Sequence, residues 1–209
     1  ATLTQLVAIY EESGQFTRAG DTLAKELPTS GRPPVALLNR LAKLAYKSGD
    51  LEGALAYLAH ARDLDPGNAL IHYLFGVICI DLKLPPEATQ SLQEAVRLDP
   101  NNPYYSYALG AVRLQEKNPD DAIPLLKKFR DARPDDPRGG FALGVAYFDA
   151  YRLDQARKEF ESVVNQPETR AGACLYLGRL AVRDDKLDEA ADHLRRAIQA
   201  NPSVPEPYA

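Results

Sequence analysis

One period governs this chain. Gly76, Gly110, Gly144 and Gly178 stand 34 residues apart without a slip. Ala54, Ala88, Ala122, Ala156 and Ala190 keep the same step, as do Pro66, Pro100 and Pro134, and Pro202 rejoins it two periods later. Three residue types in one phase, over most of the 209 residues, specify a tandem array in which each unit buries its apolar face against its neighbours.

Each marker has a physical reason. Glycine inside a helix costs about 1 kcal/mol relative to alanine, so a recurring one marks close helix contact. The alanine twelve residues later is expected to supply the other half, letting two backbones approach. The prolines follow Asp65, Asp99, Arg133 and Asn201. A residue before proline is pushed out of the helical region, so each proline closes a helix. Gly67-Asn68, Asn101-Asn102 and Asp135-Asp136 then complete a turn. Inside the unit, Ser48-Gly49-Asp50, Leu84-Pro85-Pro86-Glu87 and Lys117-Asn118-Pro119-Asp120 mark a second, shorter turn. Asn118 reads as an N-cap with Pro119 at the first helical position, while Pro124 bends that helix or frees a carbonyl.

These residues resemble the tetratricopeptide repeat. The match covers the small residues at the eighth position (Gly76 and its copies) and the twentieth (Ala88 and its copies), the closing proline, and the aromatics Tyr147 and Phe160. It departs at the fourth position, where Leu38, His72, Ser106, Gly140 and Cys174 replace the usual large aromatic, and at Ala42, which replaces the first glycine. The resemblance implies an all-α fold, a right-handed superhelix of antiparallel helix hairpins. Units are expected at 1–34 (degenerate), 35–68, 69–102, 103–136, 137–170 and 171–204, forming one solenoid domain. Gly14-Gln15-Phe16 and Ala19 match Gly49-Asp50-Leu51 and Ala54 at a step of 35, so Pro28-Thr29-Ser30-Gly31 makes a looser junction. Residues 205–209 read as the start of a further unit, with no polar capping helix after them.

The first helix of a unit, as in Ala69 to Ile80, is apolar nearly all round, whereas the second, as in Asp188 to Gln199, carries a single apolar stripe. First helices are therefore expected inside and second helices toward water. The resemblance implies that the second, fifth, ninth and twelfth positions line a concave groove. The candidate peptide-binding residues there are Tyr73, Val77, Tyr104, Tyr107, Ala111, Phe141, Val145, Phe148, Leu175 and Arg179. Tyr73, Tyr107 and Phe141 repeat at the unit spacing as rigid aromatic anchors, or as packing residues alone.

Other readings lose support. Net charge is −4 and no unit is net basic, which removes the positive footprint that phosphate binding needs, so no nucleic-acid partner is expected. No apolar run is long enough to span a membrane. Cys79 and Cys174 fall three units apart among apolar neighbours and read as small core residues. His60, His72 and His193 lack ligand spacing, so neither a metal nor a cofactor is expected. Asp120-Asp121 and Asp184-Asp185 read as helix N-caps and solvated faces rather than catalytic carboxylates. With no phosphate loop or nucleophile motif, no enzyme is expected.

Members of the resembled family that clamp a peptide carboxylate need lysine, asparagine and arginine at fixed groove positions. Only Asn39, Arg40 and Lys43 offer these, and Leu74 and Val77 stand where polar partners are required. An asparagine ladder is also absent, since the sixth position reads Arg40, Leu74, Ala108, Ala142 and Tyr176. The expected function is a scaffold holding a protein or peptide with apolar or aromatic anchors in the groove. The alternative is the repeat region of a larger, bacterial protein, self-assembling through its uncapped C-terminal face or docking a fused enzymatic or envelope-assembly module.

Overall fold

The computed structural model describes residues 2–200, so Pro202 and the stretch 205–209 lie outside the described residues. Among those described the chain forms twelve α-helices and no strand. They run as α1 (Leu3–Glu12), α2 (Phe16–Leu23), α3 (Val35–Ser48), α4 (Leu51–Leu64), α5 (Ala69–Asp81) and α6 (Pro85–Leu98), then α7 (Pro103–Gln115), α8 (Pro119–Ala132), α9 (Pro137–Asp149), α10 (Leu153–Val163), α11 (Arg170–Arg183) and α12 (Leu187–Ala200). Successive helices pack as antiparallel hairpins: α1 on α2, α3 on α4, α5 on α6, α9 on α10 and α11 on α12. Leu126 of α8 against Gly110 of α7 joins the remaining pair. A single turn of 3₁₀ helix, Ala24–Glu26, ends α2 and starts the looser junction expected at 28–31.

Every hairpin turns in the same way. At Gly14, Gly49, Lys83, Lys117, Tyr151 and Asp185 the backbone is left-handed, with φ between 57° and 87°. These positions keep the 34-residue step, with the one 35-residue step between the first two. The amide of each reaches the carbonyl three residues back, and the next amide reaches the carbonyl five residues back. At Gly49 these bonds are Gly49 N to Tyr46 O at 3.1 Å and Asp50 N to Ala45 O at 2.9 Å. At Lys117 they are Lys117 N to Leu114 O at 3.0 Å and Asn118 N to Arg113 O at 2.9 Å. This is a Schellman closure, which satisfies carbonyls left open at a helix end.

The residue that completes the closure is also the N-cap of the following helix, as at Asp50, Leu84, Asn118 and Arg152. One residue thus stops a helix and starts the next. Asp50 caps through its side chain, accepting from Gly53 N at 2.9 Å. Asn118 holds the N-cap position as expected, yet its side chain makes no capping bond. Asp184 and Asp185 do not cap α12: Asp184 ends α11 and Asp185 is the left-handed residue. Asp120 and Asp121 lie in the first turn of α8, where negative charge suits the helix dipole.

Between hairpins the proline occupies the second position of a β-turn, its fixed φ matching what that position requires. Asn68 N reaches Asp65 O at 3.3 Å, Asn102 N reaches Asp99 O at 3.4 Å and Asp136 N reaches Arg133 O at 3.1 Å. The next junction has Glu168 where the proline would fall. There α10 stops after 11 residues, whereas α8 has 14. Buried Thr169 donates its Oγ1 proton to Val163 O at 2.8 Å and holds the junction instead.

The recurring glycines are seats for a side chain more than contacts between backbones. A β-carbon at Gly76 would fall 2.6 Å from Leu92 Cγ, at Gly110 2.8 Å from Leu126, at Gly144 2.7 Å from the Phe160 ring and at Gly178 3.0 Å from Leu194. Each intruder lies sixteen residues after its glycine, on the partner helix. The expected backbone approach to the alanine is present but longer, since that same β-carbon at Gly76 would stand 3.3 Å from Ala88 O. Ala54, Ala88, Ala122, Ala156 and Ala190 are all buried.

The chain divides within α7 into two compact units, one ending at Tyr105 and one beginning at Ser106. In the first, Val7, Ala19, Leu23, Leu41 and Leu44 form one cluster, and Leu38, Leu58, Ile71, Phe75 and Ile78 with the neighbouring alanines form another. The second unit has its own core around Leu126, Leu143, Phe160 and Leu177. From α3 onward, first helices contribute more buried positions than second helices, whereas in the first hairpin α1 buries only Val7 against Ala19, Thr22 and Leu23 of α2. In α5, Ile71, His72, Phe75, Gly76, Ile78 and Cys79 are buried, against Ala88, Ser91, Leu92 and Ala95 in α6.

Candidate protein-binding surface

In the first unit, α5 presents Leu70, Tyr73 and Val77 along one face, where steps of three and four residues place them one above another. Leu70 is 46% exposed, and Tyr104, in the first turn of α7, is 37% exposed. Tyr73 and Val77 are half-buried. The Tyr73 ring lies 4.9 Å from that of Tyr105.

In the second unit, Tyr107, Ala111, Phe141, Val145, Phe148 and Leu175 are half-buried and Arg179 is exposed. Tyr107 packs 4.6 Å from Phe129, and burial pushes its phenol above the usual range. Phe141 lies 5.9 Å from Phe160. Its ring also occupies the space over Gly172, where a β-carbon would come within 2.6 Å of it. Arg179 spreads over Phe148 at 6.0 Å and over Tyr176 at 5.7 Å, a geometry that ring quadrupoles favour. None of the ten side chains singled out in the sequence is buried, and each of the three repeated aromatics rests on a further ring. Of the rings beneath them, Phe160 is one the repeat resemblance already carried, whereas Tyr105, Phe129 and Tyr176 carry no repeat signal of their own.

A cleft of about 370 Å³ opens in the first unit between α3 and α5, with Leu58 of α4 among its lining. Leu70, Leu74, Val77 and Ile78 form the α5 wall, and Asn39, Ala42, Lys43 and Tyr46 the α3 wall. Arg40 at the same mouth is tied to Glu11 at 3.2 Å. The Tyr46 hydroxyl donates to Asp81 at 2.9 Å, and the carboxylate holds that phenol above its ordinary value. The sequence signal for the cleft is the pair Asn39 and Leu74, the positions at which the carboxylate clamp is incomplete.

The groups with chemical potential lie elsewhere and are packed. Burial pushes the Cys79 thiol up to about 11 and the Cys174 thiol up as well, so neither is a ready nucleophile at neutral pH. His72 is buried with Nε2 2.9 Å from Pro66 O. No cluster of three His, Cys, Asp or Glu side chains among the described residues is arranged to hold a metal ion. No helix among them is long and apolar enough to cross a membrane.

A family model described as tetratricopeptide repeat matches residues 45–112 and 113–171. No curated protein matches the chain. Among solved structures, MamA from Desulfovibrio magneticus RS-1 superposes with a TM-score of 0.74 at 25% identity, covering 82% of this chain and 97% of that one. YrrB, described as a TPR protein with an unusual peptide-binding site, gives 0.72 at 25% identity over 82% of this chain and 88% of its own. PilF of Pseudomonas aeruginosa gives 0.79 at 23% identity over 98% and 92%, a likeness of fold alone.

Proposed function

Because the chain belongs to the tetratricopeptide repeat family, whose hairpin solenoids are typically non-catalytic protein-binding scaffolds, we propose that it holds a protein or peptide segment on its first-helix faces. The single observation that carries this reading is the state of those faces. Apolar and aromatic side chains recur there at the unit spacing, and none of those named above is buried. Contiguous exposed apolar surface is costly to a monomer and marks interaction sites. We take the repeat units as 1–34, 35–68, 69–102, 103–136, 137–170 and 171–204, each contributing one such face. YrrB, which resembles this chain over most of its length, is described by its peptide-binding site, and that supports the same use here.

The test is capture of a partner on the immobilised chain, identified by mass spectrometry and measured again with purified components. Tyr104→Glu and Val145→Glu, one in each unit, place charge on the faces. Because half-buried Val145 packs against the core of the second unit, circular dichroism first checks that each variant keeps its fold. Each is expected to weaken binding at least about tenfold, the usual scale for an apolar anchor replaced by a charge. Unchanged affinity in both variants moves the site to the second-helix side.

A further inference from the structure

The cleft of the first unit can be compared with its own copy. Three periods separate each residue around it from a counterpart 102 positions on. Asn39, Leu58 and Leu74 correspond to Phe141, Phe160 and Tyr176. In the second unit those three are rings: Tyr176 stacks on Phe160 with centroids 4.8 Å apart and planes 13° from parallel, and meets Phe141 nearly edge-on at 6.1 Å. Phe141 fits because Gly172 leaves room for it, and the counterpart of Gly172 is Leu70. An asparagine and two leucines leave open, in the first unit, a volume that aromatic rings fill in the second.

We propose, on the basis of the protein-binding reading, that this cleft takes one aromatic side chain of a protein partner, carrying a hydrogen-bond donor and flanked by a carboxylate. The ring replaces Tyr176, seated on Leu58 between Asn39 and Leu74. The donor requirement comes from Asn39, whose Oδ1 is buried without a hydrogen-bond partner, a state that a phenol or indole relieves. The carboxylate follows from charge. No acid lines the cleft, Lys43 at its edge is exposed and forms no ion pair among the described residues, and its counterpart in the filled copy is Val145. The filled copy carries its cation at Arg179, the counterpart of Val77, and lays it over the Phe148 and Tyr176 rings. What sets the open cleft apart is therefore an unpaired lysine at its edge.

The test titrates the 15N-labelled full chain with N-acetyltyrosine, N-acetyltyrosine amide and N-acetylleucine amide, read by amide shifts. The expected result is saturable shifts at Ala42, Leu74 and Ile78 with millimolar dissociation constants, ordinary for fragments of this size. N-acetyltyrosine binds tighter than its amide by roughly two- to fivefold, the scale of one exposed charge pair, and the leucine amide binds weakest. Leu74→Tyr, which copies Tyr176, abolishes the shifts. Lys43→Glu, on an exposed side chain, removes the preference for the carboxylate probe while leaving the amide probe unaffected, and it decides the matter if Leu74→Tyr proves unstable. Absence of saturable shifts at the cleft overturns the proposal, as does full binding by a folded Leu74→Tyr chain or equal binding of the leucine amide. The broader scaffold reading is judged separately, since Tyr104 and Val145 lie outside this cleft and its failure would show as loss of partner capture by the unaltered chain.

Discussion

Lys83 and Lys117 hold a left-handed backbone that Gly49 adopts without strain. For a residue with a β-carbon this conformation costs about 1–2 kcal/mol, offset in part by the lower unfolded-state entropy of a non-glycine residue. Lys83→Gly and Lys117→Gly are each expected to stabilise the chain by about 0.5–1 kcal/mol, seen in urea unfolding as a raised midpoint at constant slope. Gly49→Ala is expected to cost about 1 kcal/mol, and the cost is one of backbone alone, because a β-carbon there meets nothing within 4 Å. Asp136 is a different case. It accepts from Arg138 N at 3.1 Å and pairs with that guanidinium at 2.6 Å, which holds its carboxyl below the ordinary 3.8. A depressed carboxylate contributes stability that is complete above the unfolded-state value and is lost as pH falls through the folded one. Asp136→Asn keeps the cap but not the charge, so it should cost about 0.5 kcal/mol at neutral pH, the scale of a partly exposed pair. That cost should vanish in unfolding curves recorded well below pH 3.8, and one that persists there would mean the ion pair contributes nothing.

At the scale of the helix, the glycines of α5, α7, α9 and α11 differ from Gly20 in α2. Gly144→Ala drives a methyl into the Phe160 ring, whose nearest atoms would stand 2.7–3.0 Å away. Overpacking of this kind costs about 1–3 kcal/mol and outweighs the roughly 1 kcal/mol that alanine gains in helix propensity. At Gly20 the nearest atom would be Leu44 Cβ at 3.9 Å, an ordinary contact, so Gly20→Ala should stabilise by about 0.5–1 kcal/mol. Thermal midpoints moving in opposite directions would separate the two, and a stabilising Gly144→Ala would refute the seat. The hairpin was legible in the residues that have no substitute, namely the glycine under a large side chain and the proline at a fixed turn position. Its closure was not. The left-handed position is filled by Gly14, Gly49, two lysines, Tyr151 and Asp185, because two backbone hydrogen bonds over-determine the turn whatever the side chain. The face of the candidate surface was readable from helical spacing, and of the rings beneath it Phe160 was readable as an aromatic of the repeat. Phe129 was not, because it sits on a second helix at a position where periodicity marks only burial.

Across the whole chain, stability in a tandem array is close to a sum of local terms, each unit supported by its nearest neighbours. The separate cores here make that assumption testable. Leu58 is fully buried among residues of the first unit, while Leu143 and Leu177 belong to the cluster of the second. Leu58→Ala removes a packed side chain and should cost about 2–5 kcal/mol where the cavity forms. In native-state hydrogen exchange, amides of α3, α4 and α5 are expected to lose protection by that amount. Those around Leu143 and Leu177 should stay within a few tenths of a kcal/mol of the unaltered chain, as local opening in contiguous cooperative units requires. A uniform loss across α9 and α11 would instead make the chain one cooperative body. The partner experiments would then change meaning, since a substitution in one unit could no longer be read as local to the face that carries it.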